Sequence, residues 1–326
     1  MHVMSSMEYS FIISELAPSL SGKRFSRIRK IGEKTYRMKI GSTEVLCELG
    51  VRMHATMYLE ESQDTDKFAE KINKELDNAR LLAIEQINKD RIVSFVFDRA
   101  SLIMEMFGDG NAVLVCDGKT VCAHRYESWS DREIKVGSEY RPPKSAPSEK
   151  LEPTDKYIIV SLMRMPLGKQ YALEALARAG IDEKRQGNKL TKEETTKLEQ
   201  AISDIISNAK PFAFYDNGKL VDFALAPLSA YSSLEKREPA TLSDVADAYY
   251  MHAEKPNPGL EKLLKRLEKQ EERLAELKAE EKENKAKGDF IYAHYAEVEE
   301  AIKAAKSGKS KGKIDKKERS VELDLQ

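Results

Sequence analysis

Apolar residues at spacings near four, Met7, Phe11, Ile12 and Leu16, predict a short amphipathic helix over residues 7–20 that ends near Pro18. Strands follow. Tyr36, Met38 and Ile40 alternate with polar neighbours, Gly41 and Ser42 break the run, and Val45, Cys47 and Leu49 alternate again, which predicts a hairpin with one buried face. A second helix begins near Thr65, whose hydroxyl suits a cap, and puts Phe68, Ile72 and Leu76 on one side. Val93, Phe95 and Phe97 alternate, as do Leu102, Met104 and Met106, and the apolar run 112–116 turns at Asp117-Gly118 into residues 119–122. Residues 1–142 thus read as an α+β unit with a mainly antiparallel sheet.

Four prolines and little apolar content mark residues 141–153 as a linker. A helical region, 154–209, comes next: residues 157–165 and 170–179 are helix-like on either side of Pro166-Leu167-Gly168-Lys169, and a further helix over 191–209 carries Leu198, Ile202 and Ile205 on one face. Residues 210–252 open with a hairpin around Asp216-Asn217-Gly218, expected to return to the first sheet. Beyond Pro256 and Pro258 the leucines at 260, 263, 267, 274 and 277 fall on heptad a and d positions, predicting a coiled-coil arm over 256–287. The pattern lapses at 281–288 and resumes at Ile291, Tyr295, Val298, Ile302 and Ala305, with a bend expected at Gly288 and Asp289 as a cap. Residues 303–319 hold eight Lys/Arg and two acids. Residues 320–325 alternate as one strand with no partner strand after it, so the chain reads as ending inside a domain that starts at 288.

Charged residues at 33% against 7% aromatics suit a chain with a long solvated helix, while a net charge of -1 gives no general attraction to nucleic acid. Any such attraction must be local. Three cysteines without paired spacing point to a reducing compartment, read as cytoplasmic, and no window is long and apolar enough for a membrane span or shaped as a signal peptide.

Several short motifs bear on chemistry. Asp98-Arg99 follows a strand: an Arg fork suits phosphate or a base edge, a neighbouring carboxylate can orient it, and a plain exposed turn pair is the alternative. Arg52 and His54 also follow a strand and suit either phosphate or local carbonyls. Gly108, Gly110 and Asn111 form a turn that permits positive φ, with Asn111 a possible contact; no helix follows, so it is no nucleotide loop. Leu167-Gly168-Lys169 is either an interhelical turn or a site where backbone amides and Lys169 meet a phosphate. Cys122-x-His124 alone falls short of a zinc site.

Leu49-Gly50-Val51-Arg52-Met53-His54, Phe97-Asp98-Arg99 and Met106-Phe107-Gly108-Asp109-Gly110-Asn111, in this order, resemble the NFACT family. That family takes in the bacterial fibronectin-binding protein A group (RqcH), the nuclear export mediator factor and archaeal homologues, and the chain is expected to be an archaeal homologue. Pro211 to Phe223, Pro227-Leu228-Ser229 and Gly288-Asp289-Phe290-Ile291-Tyr292-Ala293 extend the resemblance over most of the chain. It implies an N-terminal domain like that of formamidopyrimidine-DNA glycosylases, a helix-hairpin-helix domain at 154–209 and a coiled coil with a small tip domain, without the RNA-binding NFACT-R domain. It further implies binding to large ribosomal subunits obstructed by peptidyl-tRNA and recruitment of tRNA, in bacteria alanine tRNA, to tail the stalled chain, with no cofactor, no metal and no active site of its own. Asp98-Arg99 matches the family's tRNA-selecting pair, and Glu8 stands where the family usually has an Asp. The competing expectations are an adhesin for fibronectin, disfavoured by the absence of a signal peptide, and a DNA-processing enzyme, disfavoured because the chain begins Met1-His2-Val3 where the glycosylases need a proline nucleophile. The unpaired heptads suggest self-association.

Overall fold

In a computed structural model of the chain the residues described are 1–59, 66–144, 147–148, 150–252, 258–307, 314–315 and 320–321. They fall into two units, Met1–Glu254 and Lys255–Gln326.

The first unit opens with α1 (Ser6–Leu20), started by a capping box between Ser5 and Glu8. The helix ends as expected near Pro18, two residues beyond it at Leu20, the proline lying in the last turn. An antiparallel meander follows, β1 (Phe25–Lys30), β2 (Thr35–Ile40), β3 (Thr43–Glu48) and β4 (Arg52–Thr56). The expected hairpin is β2–β3. The flanking strand β1 carries a bulge between Phe25 and Arg27 that breaks the alternation and hides it in the sequence. Helix α2 (Lys67–Glu75) is capped by the Asp66 carboxylate, which accepts from Phe68 N at 3.1 Å; the expected cap, Thr65, lies outside the described residues.

A second antiparallel meander comprises β5 (Leu81–Gln86), β6 (Ile92–Phe97), β7 (Ser101–Glu105), β8 (Asn111–Cys116) and β9 (Lys119–Ala123). Asp117 and Gly118 both take positive φ, as a two-residue β8–β9 turn requires. Val93, Phe95 and Phe97 enter the main core with Leu102, Met104 and Leu114, while Ile92, Ile103, Val113 and Val115 form a smaller cluster on the other face, covered by Ile134 and Tyr140. The two meanders are joined edge to edge, with Phe25 N donating to Ala79 O, Leu81 N to Lys23 O and an antiparallel bridge between Arg24 and Arg80. A short ribbon, β10 (Glu127–Ser128) and β11 (Glu133–Ile134), precedes residues 142–156, whose described members carry neither helix nor strand.

Helices α3 (Ile158–Leu162), α4 (Lys169–Ala179) and α5 (Lys192–Ser207, capped by Thr191) form the helical region. The hairpin of β12 (Phe212–Asp216) and β13 (Lys219–Ala224) does not return to the first sheet. It forms its own three-stranded sheet with β14 (Glu235–Arg237), and the return to the N-terminal meander is made instead by α6 (Leu242–His252), which packs on β4 and β13. The aromatic residues Tyr9, Tyr36, Phe95 and Tyr171 are fully buried, and the burial of Phe95 contributes roughly 1.5–3 kcal/mol.

In the second unit the arm is one helix of 36 residues, α7 (Pro258–Ala293), about 54 Å long, followed by α8 (Tyr295–Lys306). Gly288 and Asp289 lie inside α7, so Asp289 caps no helix, and the interruption falls at His294. Leu274 and Leu277 are exposed; the side chains of Leu260, Leu263 and Leu267 lie outside the described residues, as does most of the basic run. The last strand does have a partner, but an earlier one: β15 (Ile314–Asp315) pairs with β16 (Ser320–Val321).

Candidate nucleic-acid interface

Asp98 and Arg99 sit in the short β6–β7 turn, closed by Phe97 N donating to Ala100 O at 2.9 Å. The burial of Phe97 on one side of the strand end sends Asp98 to the other. Both side chains are solvated, at 40% and 53% exposure, and Arg99 Nε lies 3.6 Å from Asp98 Oδ1. Asp98 thus orients the guanidinium while leaving most of its donors free, the arrangement that suits a phosphate or a base edge.

The other sequence candidates lie elsewhere and are engaged internally. Arg52 and His54 are not beyond a strand but within β4, and both are buried. Arg52 Nε donates to Glu48 at 2.8 Å and its guanidinium lies 4.1 Å from the Tyr250 ring centroid. Burial lowers the His54 pKa to about 3, with the neighbouring Arg52 charge acting in the same direction, so the ring is neutral at pH 7 and bonds Ala55 O at 2.8 Å. Neither group has free capacity for phosphate.

Asn111 is buried too: its Oδ1 accepts from Ala112 N and Arg125 N, and its Nδ2 donates to Arg125 O at 3.0 Å. It fastens the strand after the glycine turn. The turn itself meets the other glycine motif, since a Cβ on Gly110 would come within 2.3 Å of the Leu49 carbonyl carbon, and one on Gly50 within 2.7 Å of Gly108 O. Lys169 is exposed at the start of α4, but Gly168 serves a different approach: its Cβ position lies 2.4 Å from Ser5 Cβ.

Glu8 is completely buried in a network that sequence reasoning missed. Its carboxylate accepts from Ser5 N at 2.6 Å, Tyr171 Oη at 2.8 Å and Gln170 Nε2 at 2.8 Å, and faces His2 Nε2 at 3.1 Å. The opposite ring nitrogen of His2 lies 2.7 Å from Asp222, which also accepts from Tyr231 Oη at 2.6 Å. Burial alone would lower the His2 pKa, but Glu8 and Asp222 together push it up to about 10; the His2 charge in turn holds Glu8 below the usual carboxylate range despite its burial. The site is an internal lock, and Glu8 offers nothing to a ligand at the surface. His124 is likewise satisfied, with Nδ1 2.7 Å from Tyr36 Oη.

Residues 8–325 match the model of the NFACT N-terminal and middle domains. The chain belongs to the NFACT family. Among curated NFACT relatives it is 30% identical over 310 residues to the archaeal Rqc2 homolog aRqcH of Methanocaldococcus jannaschii, a match covering 83% of this chain and 46% of that protein. It is 33% identical over 119 residues to the human ribosome quality control complex subunit NEMF, covering 34% of this chain and 11% of that protein. The chain therefore spans less than half the length of these relatives. Among solved structures, the fibrinogen binding protein from Staphylococcus aureus superimposes with a TM-score of 0.59 at 18% identity, over 76% of this chain and 98% of that one. The N-terminal part of the fibronectin/fibrinogen-binding protein from Streptococcus suis gives 0.57 at 20% identity, over 76% and 99%. At such identities the likeness is one of fold. Within this NFACT chain Asp98 and Arg99 are the sequence-derived pair brought together at the surface. No helix among the described residues is long and apolar enough to cross a membrane.

Proposed function

We propose that this chain is the N-terminal and middle part of a ribosome quality-control factor. It acts in the cytoplasm on large ribosomal subunits obstructed by peptidyl-tRNA, recruiting a tRNA, alanine tRNA by analogy with bacterial members, for tailing of the stalled chain. The reading divides the chain into an NFACT N-terminal domain (1–142), a helix-hairpin-helix domain (154–209), a connecting segment (210–252), an arm (256–287) and the start of a tip domain (288–326). Peptide transfer belongs to the ribosome, so the chain needs to supply recognition and no chemistry. The observation that carries the proposal is the exposed Asp98–Arg99 pair in a chain matched to the NFACT model from end to end. An Arg oriented by a carboxylate reads RNA by geometry as well as charge.

The test is cosedimentation of the chain with large subunits that carry peptidyl-tRNA and with empty ones, alongside fibronectin in a pull-down. Retention on the obstructed subunits, weakened by Asp98→Ala, is the expected result. Binding to fibronectin without binding to subunits overturns the proposal in favour of an adhesin.

A further inference from the structure

Strand β1 and the residues before it hold five Lys/Arg in the eight positions 23–30, interrupted by Phe25 and Ile28, which are buried. The remaining residues of the strand edge therefore face outward. Arg24 forms its antiparallel bridge with Arg80. Arg80 O in turn accepts from Asp98 N at 3.0 Å. Leu81 pairs with Phe97 one step further along, and both are buried, so Arg80 and Asp98 occupy the opposite, solvated face. Arg24, Arg80 and Asp98, with Arg99 beside it, form a row across three neighbouring backbone segments, spanning roughly 10 Å at the usual strand spacing.

Two arginines placed directly opposite each other repel, and a sheet normally avoids the pairing. Here no carboxylate lies between them: among the described residues Arg80 has no ion pair, and Arg24 donates to the neutral Asn78 carbonyl at 2.8 Å. Asp98 lies beside Arg99, with Oδ1 3.6 Å from its Nε, and Asp77 is the other acid adjoining this edge in sequence. Both flanking strands also carry a bulge, one between Phe25 and Arg27 and one between Leu81 and Ala83 that leaves Leu82 53% exposed. Bulges re-aim side chains at sheet edges and beside sites.

We infer that Arg24 and Arg80 form, with Arg99, a track for the phosphate backbone of RNA, an anion between the two arginines relieving their repulsion. The inference rests on the reading that RNA is bound at Asp98–Arg99 and extends it to two residues on other strands. The track supplies salt-dependent affinity, while the Asp98-oriented contact supplies affinity that persists as salt rises, so Asp98→Ala weakens binding about tenfold to hundredfold and leaves the salt slope unchanged.

Filter binding of bulk tRNA to the chain across a salt series tests it, comparing wild type, Arg24→Gln/Arg80→Gln, Arg24→Lys/Arg80→Lys, Asp98→Ala and the charge-matched control Lys184→Gln/Lys219→Gln. Two lost phosphate contacts make the log-log salt slope shallower by about 1.4–1.8 and weaken binding about tenfold to hundredfold at ~0.1 M salt. The Lys pair keeps the wild-type slope, and so does the control. If the Gln pair fails to fold, Arg80→Gln alone, whose side chain holds no internal bond, carries half the slope change. A wild-type slope in the Gln variants, with binding lost in Asp98→Ala, overturns the track and leaves the site reading standing. The reverse pattern supports the track and removes Asp98 from recognition. Equal losses in the Gln pair and the control overturn the track as a local feature, and absence of tRNA binding by the wild type overturns both.

Discussion

His2 Nδ1 lies 2.7 Å from Asp222 Oδ1, joining residues 220 positions apart. The ring is sandwiched between two carboxylates, Asp222 and Glu8, and stacks on Phe223 at 4.1 Å. A cation held between the buried Glu8 and the half-buried Asp222 ties the start of the chain to α1, α4 and β13 at once.

This geometry fixes a pH dependence of stability. The folded-state pKa of His2 is raised to about 10, so its contribution is fully present below its unfolded value near 6.5 and is lost as pH rises towards 10. Glu8 and Asp222 are depressed, so theirs is present above the ordinary carboxylate range and is lost as pH falls below about 4. Because His54 is held neutral down to about pH 3, its contribution is lost as pH falls below 6.5, so chemical denaturation between pH 3 and pH 10 is expected to give a maximum near pH 6.5, with His2→Ala flattening the alkaline limb. An alkaline limb that is unchanged in His2→Ala would assign it to other groups.

Tyr171 carries the same lock further, donating to Glu8 and accepting from Leu225 N at 2.9 Å. Tyr171→Phe removes both bonds without removing volume, leaving a buried amide unpaired and a buried carboxylate one donor short. Equilibrium unfolding is expected to show a loss of about 2–4 kcal/mol. A loss below about 0.5 kcal/mol would mean that water replaces the hydroxyl.

The two glycine motifs predict a contrast. Gly110→Ala imposes positive φ on an alanine and drives its Cβ into the Leu49–Gly50 peptide, with Leu49 C at 2.3 Å and Gly50 N at 2.4 Å. It should cost upwards of about 2 kcal/mol. Gly118→Ala meets nothing within 4 Å and carries the φ penalty alone, roughly 1 kcal/mol. Equal midpoints in urea for the two variants would contradict the packing argument.

The sequence yields its regular elements where one face is buried. Val93, Phe95 and Phe97 alternate because their strand meets the main core, and Leu198, Ile202 and Ile205 recur because α5 buries one stripe. Strand β1 escapes notice because its bulge puts two outward residues between Phe25 and Ile28, although the density of Lys/Arg there was a visible signal. Arg52, His54, Glu8 and Asn111 read as surface contacts because polar residue types normally are, and only tertiary pairing with Glu48, Tyr250, His2, Tyr171 and Arg125 accounts for their burial. The His2–Asp222 contact has no local signature at all.

Asp98→Ala and Arg99→Ala are expected to leave unfolding free energy within about 0.5 kcal/mol of wild type, since both side chains are solvated and their mutual contact is long. Loss of one charge-assisted contact to RNA is worth about 1.5–3 kcal/mol, a tenfold to hundredfold weakening. Wild-type tRNA affinity in both variants would remove the pair from recognition.

Leu274 and Leu277 stand three residues apart and are 52% and 46% exposed, although they continue the heptad register of Leu260, Leu263 and Leu267. A leucine stripe on a helix otherwise filled by Glu and Lys gains stability by facing a matching stripe, and a second copy of the same helix supplies one. Each leucine is already about half covered, so completing its burial in such a seam contributes roughly 0.8–1.5 kcal/mol, about 1.5–3 kcal/mol for the pair per chain. The apparent mass of the 326-residue chain in sedimentation equilibrium should therefore rise with concentration. Leu274→Glu/Leu277→Glu should weaken that association at least a hundredfold, because it forfeits the burial and brings acids together across the seam. A monomer at every concentration, or association unchanged by the double substitution, would mean that the stripe is not a self-association surface.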